Sequence, residues 1–232
     1  MTVTCSLTPS TQFVLFGSTV DTARNRVYVA TALCVLVFNQ VTFSCNNTGE
    51  SQVAVLNGSD LAQVIDTLPR TIGGAGGIAF NPVTGRIYVA VQNGPVDTVR
   101  VIDAATLQVI DRIPVGSGAA GVAVNPVTNR IYVTNSNDGT VSVIAGASNT
   151  VIQTVFVGSS SPWGIGVDPV RNVVYVSNSS DFGVAVLDGA TNLVIGYIYV
   201  DGNNTDAQPN PVTGRVYVPV YGSGQVRVLQ YQ

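Results

Sequence analysis

The chain has 232 residues, of which only 10% are charged, and its net charge is −3. There is no histidine, which excludes Ser-His-Asp and Cys-His catalysis. All ten basic residues are arginines that are spread along the chain, which argues against the clustered basic charge of a nucleic-acid-binding surface. No stretch reaches the run of about 18 apolar residues that a membrane helix needs, so we expect no membrane insertion.

The first thirty residues align without a gap onto a later part of the chain. Thr2-Val-Thr-Cys-Ser-Leu7 falls on Thr106-Leu-Gln-Val-Ile-Asp111, and Gly17-Ser-Thr-Val20 falls on Gly121-Val-Ala-Val124. The last repeat lacks an outer strand, so we expect residues 2–8 to supply it and to close the fold. The N-terminus shows neither a basic region nor an apolar region, so no signal peptide is visible.

An insertion at 33–45 follows the second predicted strand and reads as a β-hairpin. A two-residue turn at Asn39-Gln40 pairs Phe38 with Val41. Counting back along both strands places Cys34 opposite Cys45, so we expect a disulfide between them, with Cys5 left over. Such a bond persists in oxidising compartments and would support export from the cell.

The rest of the chain repeats one pattern. Asn125-Pro-Val-Thr-Asn-Arg-Ile-Tyr-Val-Thr134 has near copies at 81–90 and 210–219 and more distant relatives at 168–177 and 21–30. Each copy predicts a strand, a tight turn that begins with Asn or Asp, and a second strand; two further strands follow. The marker tyrosines recur at intervals of 42 to 44 residues after a first interval of 60: Tyr28, Tyr88, Tyr132, Tyr175 and Tyr217.

A period in the forties with four short strands per unit is typical of a β-propeller. We therefore predict an all-β, single-domain, five-bladed β-propeller of four-stranded antiparallel blades, closed by the N-terminal strand and carrying the inserted hairpin in its first blade. We name the strands of each blade A to D from the axis outwards. The predicted bounds are about 17–69 for blade 1 with the insertion 33–45, 76–115 for blade 2, 120–157 for blade 3, 164–200 for blade 4, and 206–232 plus 2–8 for blade 5.

Most recurring side chains have structural explanations. The Tyr-Val pair of each repeat is expected to lie in the hydrophobic core. The repeated arginines are expected to connect one blade to the next, and Val173 replaces this arginine in blade 4. No two carboxylates show the spacing of an acid/base pair, and no metal-ligand spacing occurs. We therefore predict no catalytic residue, no metal and no cofactor.

Candidate binding residues fall in the loops between strands B and C and between strand D and the next strand A, because these loops differ in every blade. Trp163, the only tryptophan, falls in a predicted D–A loop, where it either plugs the core or binds a ligand. The candidate binding residues on this face are Trp163, Asn137, Asp138, Asp181, Asn204 and Asp206. Four Asn-x-Ser/Thr sequons are candidate glycosylation sites: Asn46, Asn57, Asn178 and Asn203.

The motif Tyr132-Val-Thr-Asn135 in its Asn-Pro-Val-Thr frame resembles the YVTN family of β-propeller repeats over almost the whole chain. Members of this family look like archaeal and bacterial surface-layer or cell-surface proteins, and larger relatives include lactonase-like and redox enzymes. The resemblance implies the fold rather than an activity, and no catalytic residue carries over.

These observations favour a non-enzymatic propeller at the cell surface or outside the cell, which acts as a binding or assembly module. Its partner would be a protein, a glycan or another copy of the chain, as in a surface layer, filament or virion. The alternative is a lactonase- or glycosidase-like hydrolase that uses Asp at the axial mouth. A nucleic-acid-binding propeller is the third reading, disfavoured by charge.

Overall fold

The structure is a computed structural model that describes residues 14–32, 37–38, 41–42, 50–60, 64–67, 71–72, 74–92, 96–158, 161–179 and 183–230. Within these residues every regular element is a β-strand, as expected from short β-branched runs separated by turns. Five small antiparallel sheets form a five-bladed β-propeller, which confirms the predicted fold.

Blade 1 carries the inserted hairpin. The blade consists of β1 (Val14–Asp21), β2 (Arg26–Ala32), β5 (Glu50–Asn57) and an outer strand in two pieces, β6 (Val64–Thr67) and β7 (Thr71–Ile72). The hairpin consists of β3 (Val37–Phe38) and β4 (Val41–Thr42). Phe38 lies opposite Val41, so the predicted register is confirmed. The predicted Cys34–Cys45 bond lies outside the described residues, as do Cys5 and Asn46.

Blades 2 to 4 each have four strands in the order A to D. Blade 2 contains β8 (Gly74–Asn81), β9 (Arg86–Gln92), β10 (Thr98–Asp103) and β11 (Val109–Pro114). Blade 3 contains β12 (Ala119–Asn125), β13 (Arg130–Asn135), β14 (Thr140–Ala145) and β15 (Thr150–Phe156). Blade 4 contains β16 (Pro162–Asp168), β17 (Val173–Asn178), β18 (Gly183–Asp188) and β19 (Val194–Tyr199).

Blade 5 has an inner strand in two pieces. It contains β20 (Asn203–Asn204) and β21 (Gln208–Asn210), followed by β22 (Arg215–Tyr221) and β23 (Gln225–Gln230). Both inner pieces pair with β22, which also pairs with β23. The prediction that residues 2–8 form the fourth strand of this blade lies outside the described residues.

The A–B turns have the geometry that their sequence predicts. In blade 3 the Oδ1 atom of Asn125 accepts hydrogen bonds from the backbone N–H groups of Val127 at 3.0 Å and Thr128 at 3.3 Å. Asn129 then adopts a φ of +51°, and Gly85 in blade 2 adopts +65°. Asn and Gly tolerate this left-handed conformation, which explains their presence at the end of each turn.

Neighbouring A–B turns are also bonded to each other, which the sequence did not indicate. The Nδ2 group of Asn125 donates to Oδ1 of Asn172 in the next turn at 2.8 Å. An aspartate cannot donate in this way. In blade 4, which has Asp168 at this position, Arg171 instead donates to the Asp168 carboxylate at 2.9 Å and to the Pro211 carbonyl of blade 5 at 3.2 Å. Neighbouring A–B turns are thus connected either by an Asn–Asn hydrogen bond or by an arginine that bonds to both turns.

The arginine that begins strand B reaches the next blade, which confirms the predicted tie. In each case its guanidinium donates to a backbone carbonyl in the C–D turn of the following blade. The three pairs are Arg26 to Ala104 at 2.8 Å, Arg86 to Gly146 at 3.0 Å and Arg130 to Gly189 at 2.5 Å. Arg215 of blade 5 is exposed and makes no such bond within the described part of the chain.

Within the described residues, the side of blade 5 that faces blade 1 is more exposed than the other blade junctions. The described residues form four hydrophobic clusters, one at each junction from blades 1–2 to blades 4–5. The marker tyrosines of blades 1 to 4 are buried there, as predicted, whereas Tyr217 is only partly buried. Val226 and Val228 on β23 are 57% and 53% exposed, although their counterparts in blade 3, Val141 and Val143, are 0% exposed.

Candidate functional site

The innermost strands enclose a cavity of about 530 Å³ around the propeller axis. All five blades line it with residues from the first and middle parts of the inner strand, together with Gln92 from the end of strand B in blade 2. Each strand A begins after a D–A loop. The cavity therefore lies towards the face that carries the D–A and B–C loops, where binding was expected.

A β-bulge in strand A shapes the wall of this cavity. In blade 4 Trp163 and Gly164 together lie opposite Ser177 of strand B, and in blade 3 Ala120 and Gly121 lie opposite Thr134. A bulge leaves backbone groups without ladder partners. The strand B hydroxyls provide these partners, since Thr134 accepts from the Gly121 N–H at 2.7 Å and Ser177 accepts from the Gly164 N–H at 3.0 Å.

Glycine in the bulge allows neighbouring inner strands to approach each other. A Cβ atom on Gly121 would lie 2.5 Å from the Trp163 carbonyl oxygen, and one on Gly164 would lie 2.6 Å from the Asp206 Cα. No side chain fits at such distances. These glycines therefore set the width of the axial cavity, and the second contact places Asp206 on the strand beside Trp163.

Trp163 is the first residue of the blade 4 bulge. The sequence placed it in a loop, but it lies within β16, because the strand begins at Pro162 and the bulge follows at once. Its backbone carbonyl accepts a hydrogen bond from the Thr134 hydroxyl at 2.8 Å, while the side chain lines the cavity and is 46% exposed. A half-exposed indole in a cavity offers both an apolar face and an N–H donor.

Asp206 is the carboxylate among the cavity-lining residues. It lies between β20 and β21, opposite Val218 and Pro219. Proline has neither an N–H nor a hydroxyl, so the bond made by Thr134 in blade 3 has no equivalent here. The Asp206 carboxylate instead accepts hydrogen bonds from the Ala207 N–H at 2.9 Å and from the Gln208 amide at 3.0 Å.

The environment of Asp206 alters its proton affinity. Burial raises the pKa of its carboxyl group above the ordinary value, because desolvation disfavours the charged form more than the bonds from Gln208 and Ala207 favour it. Asp206 thus holds its proton to a higher pH than a surface aspartate. A carboxyl group whose pKa is raised in this way and that lies in a cleft is typical of a functional site.

Two glutamine amides complete the polar lining and were not predicted. Gln92 donates to the Ala119 carbonyl at 3.2 Å, and Gln208 donates to the Ile165 carbonyl at 3.4 Å. Both bonds join neighbouring blades. Gln92 is the last residue of β9 and Gln208 is the first residue of β21. Both reach the axis only because the blades are arranged around it, so no local sequence pattern predicts them.

The other predicted binding residues do not line the cavity. Asn137 and Asp138 are exposed in the B–C loop of blade 3, where both bond to Ser117 of the preceding D–A loop. Asn204 is fully buried and accepts from the Asn178 N–H at 3.1 Å, so it supports the junction of blades 4 and 5. Asp181 lies outside the described residues.

The described sequons occupy different environments. Asn203 is exposed on β20, and Asn57 is partly buried at the end of β5. Asn178 is only 2% exposed, and its Nδ2 group donates to the Val157 carbonyl at 3.3 Å. A glycan on this nitrogen would require that bond to break.

No group of three or more His, Cys, Asp or Glu side chains within the described residues is arranged to hold a metal ion. The part of the chain that the structure describes also contains no helix that is long and apolar enough to cross a membrane.

Comparisons with known proteins agree with this architecture. The chain matches a solved structure titled Kuenenia stuttgartiensis hydrazine synthase with a TM-score of 0.73 and 17% identity over 94% of this chain. The match spans 63% of that protein's chain, and at this identity it shows the fold alone. No curated protein sequence matches the chain. The family model for YNCE-like β-propellers matches residues 37–170, more than half of the chain, so this protein belongs to the YNCE-like β-propeller family.

Proposed function

We propose that the protein is a non-enzymatic binding or assembly module that works at the cell surface or outside the cell and engages its partner at the axial cavity. The observation that carries this proposal is that Trp163 and Asp206, from neighbouring blades, line the same cavity towards the face of the variable loops. Trp163 lies on β16, and hydrogen bonds from Ala207 and Gln208 hold the Asp206 carboxylate, which favours binding without a large ordering cost.

The lining of the cavity suits a small polar ligand or the tip of a protein loop. Its volume of about 530 Å³ falls within the range of small-molecule pockets. It combines one indole, one carboxyl group and the amides of Gln92 and Gln208. Such a mixture suits a glycan or peptide group with hydrogen-bond donors better than it suits phosphate, because no arginine is among the described residues that line the cavity.

The surface location rests on sequence features. The chain is only 10% charged, and serine, threonine and asparagine supply the rest of the polar surface. The predicted Cys34–Cys45 bond and the YVTN-like repeats favour the same location. The small net charge of −3 disfavours nucleic acid as the partner.

A hydrolase is the second candidate, and the raised pKa of Asp206 is the observation that favours it. A carboxyl group with a raised pKa keeps its proton to a higher pH and can act as a general acid. A glycosidase of the usual kind needs two carboxyl groups across the scissile bond, however, and the described cavity lining holds one. We therefore rank binding above hydrolysis.

The experiment compares a cavity variant with a matched control on the opposite face. The cavity variant is Trp163→Ala with Asp206→Ala. The control is Val127→Ala with Val212→Ala, two exposed residues of A–B turns. Calorimetry with a panel of neutral sugars, amino sugars, γ-lactones and short peptides measures binding, and sedimentation velocity measures self-association.

We expect the cavity variant to lose binding or self-association while the control keeps it, with unchanged circular dichroism for both. If binding survives the cavity change and is lost in the control, the proposed face is wrong. Turnover of a lactone or glycoside that Asp206→Asn alone abolishes would favour the hydrolase instead.

A further inference from the structure

Exposed aromatic side chains collect at the outer rim of blades 3 and 4, away from the axial cavity. Phe156 at the end of β15 and Tyr197 and Tyr199 on β19 are all exposed, and Tyr199 is 74% exposed. They line a groove of about 470 Å³ together with Gly158, Asn178 and Gly183. We call this the rim groove. Large exposed aromatic side chains on a soluble surface commonly mark an interaction site.

The repeats provide an internal comparison for the rim groove. A valine directly follows strand D in blades 2, 3 and 4, and aligning the strands on this valine compares their outward positions. Blade 2 has Arg112 and Pro114 where blade 4 has Tyr197 and Tyr199. The two tyrosines are two residues apart on one strand, so their side chains lie on the same face of it. The fold does not require aromatic residues here, since blade 2 forms its outer strand without them.

A second observation points to a ligand with hydrogen-bond donors. Asn178 lines the rim groove and is only 2% exposed, and its Oδ1 atom has no hydrogen-bond partner within the described structure. Its Nδ2 group is already engaged by the Val157 carbonyl. A buried acceptor without a donor carries a desolvation cost that an incoming hydroxyl would relieve.

We propose that the rim groove binds a neutral saccharide. A sugar ring offers an apolar C–H face for the tyrosine rings and hydroxyl donors for Asn178 and the phenols. Among the described residues, the groove lining has no Asp, Glu or Arg side chain, so this part of it offers no charged partner for phosphate, an acidic glycan or a charged peptide. Its volume falls within the range of small-molecule pockets. A groove of this size would bury much less surface than a stable protein–protein interface does.

The test uses defined oligosaccharides and the whole chain. Cellohexaose, maltohexaose and chitohexaose are the neutral probes, and a heparin hexasaccharide is the charged one. Isothermal calorimetry measures each with the native protein, with Tyr197→Ala/Tyr199→Ala, with Tyr221→Ala and with Trp163→Ala. Tyr221 is an exposed tyrosine of blade 5 outside the rim groove, so it matches the change in chemistry.

At least one neutral hexasaccharide is expected to bind, with an affinity that falls about tenfold or more in the double tyrosine variant because two ring contacts are lost. The Tyr221→Ala variant is expected to keep the affinity within about twofold. The proposal is overturned if no neutral probe binds, if heparin binds equally well, or if the double variant keeps its affinity. Loss in Trp163→Ala alone would place the saccharide in the axial cavity and also overturn it, so the two sites are tested separately.

Discussion

Equivalent valines in different blades test how tightly each blade junction is packed. Val143 of blade 3 is 0% exposed, whereas Val228, its counterpart in blade 5, is 53% exposed. Replacing valine by alanine removes two methyl groups. At about 0.8 kcal/mol for each buried carbon, plus a cavity cost, Val143→Ala should lower the free energy of unfolding by about 2 to 3 kcal/mol. Val228→Ala should lower it by less than about 1 kcal/mol, because much of that side chain already meets water.

Urea unfolding followed by far-UV circular dichroism measures both changes, and the dependence on urea must stay the same for the comparison to hold. Val101→Ala provides a control, since Val101 is the blade 2 counterpart and is also 0% exposed; its cost should equal that of Val143→Ala. If Val228→Ala costs as much as Val143→Ala, the junction between blades 5 and 1 is as well packed as the others and the reasoning from exposure fails.

Three further predictions follow from particular contacts. Asp206→Asn should raise the melting temperature above the ordinary aspartate pKa of about 3.9 and leave it unchanged below that pH. Because the folded-state pKa of Asp206 is raised, the native protein loses stability as the pH rises from the unfolded-state pKa through the folded-state pKa, whereas asparagine does not ionise. Melting temperatures measured across this pH range test the prediction. Arg171→Ala should cost about 1 to 3 kcal/mol by removing the donor to buried Asp168, whereas Arg112→Ala, at an exposed arginine, should cost under about 0.5; equal costs would refute the link. Deleting residues 1–8 should lower the melting temperature if this segment is the missing outer strand of blade 5, and an unchanged value would refute that closure.

The repeat period predicted the blades, because four strands and their turns consume a nearly constant length of chain. The turn residues were also predictable, since Asn125 and Asn129 act through local hydrogen bonding and φ preferences. The hairpin register at Phe38 and Val41 followed from counting residues along a short antiparallel pair. In each case the interaction is local or repeats within the sequence.

The site was predicted only in part. Trp163 and Asp206 were chosen because they lie near variable loops, but nothing local indicated the bulge that brings Trp163 into β16 and onto the cavity wall. Gln92 and Gln208 reach the axis only because separate blades converge there. Asn178 has the sequence of a glycosylation site, yet its burial depends on packing between blades 3, 4 and 5. Such features arise from contacts between different blades and not from the local sequence of one segment.

The emission of Trp163 tests the central claim most directly, because it is the only tryptophan and it lines the axial cavity. The member of the panel that binds best in calorimetry to the Tyr197→Ala/Tyr199→Ala variant, which lacks the tyrosine contacts of the rim groove, is titrated into that variant while emission and acrylamide quenching are followed. If the axial cavity is the binding site, emission should change with the same affinity as the heat, and the bound ligand should shield the indole from acrylamide. Binding detected by calorimetry with no change in Trp163 emission or quenching would contradict the account.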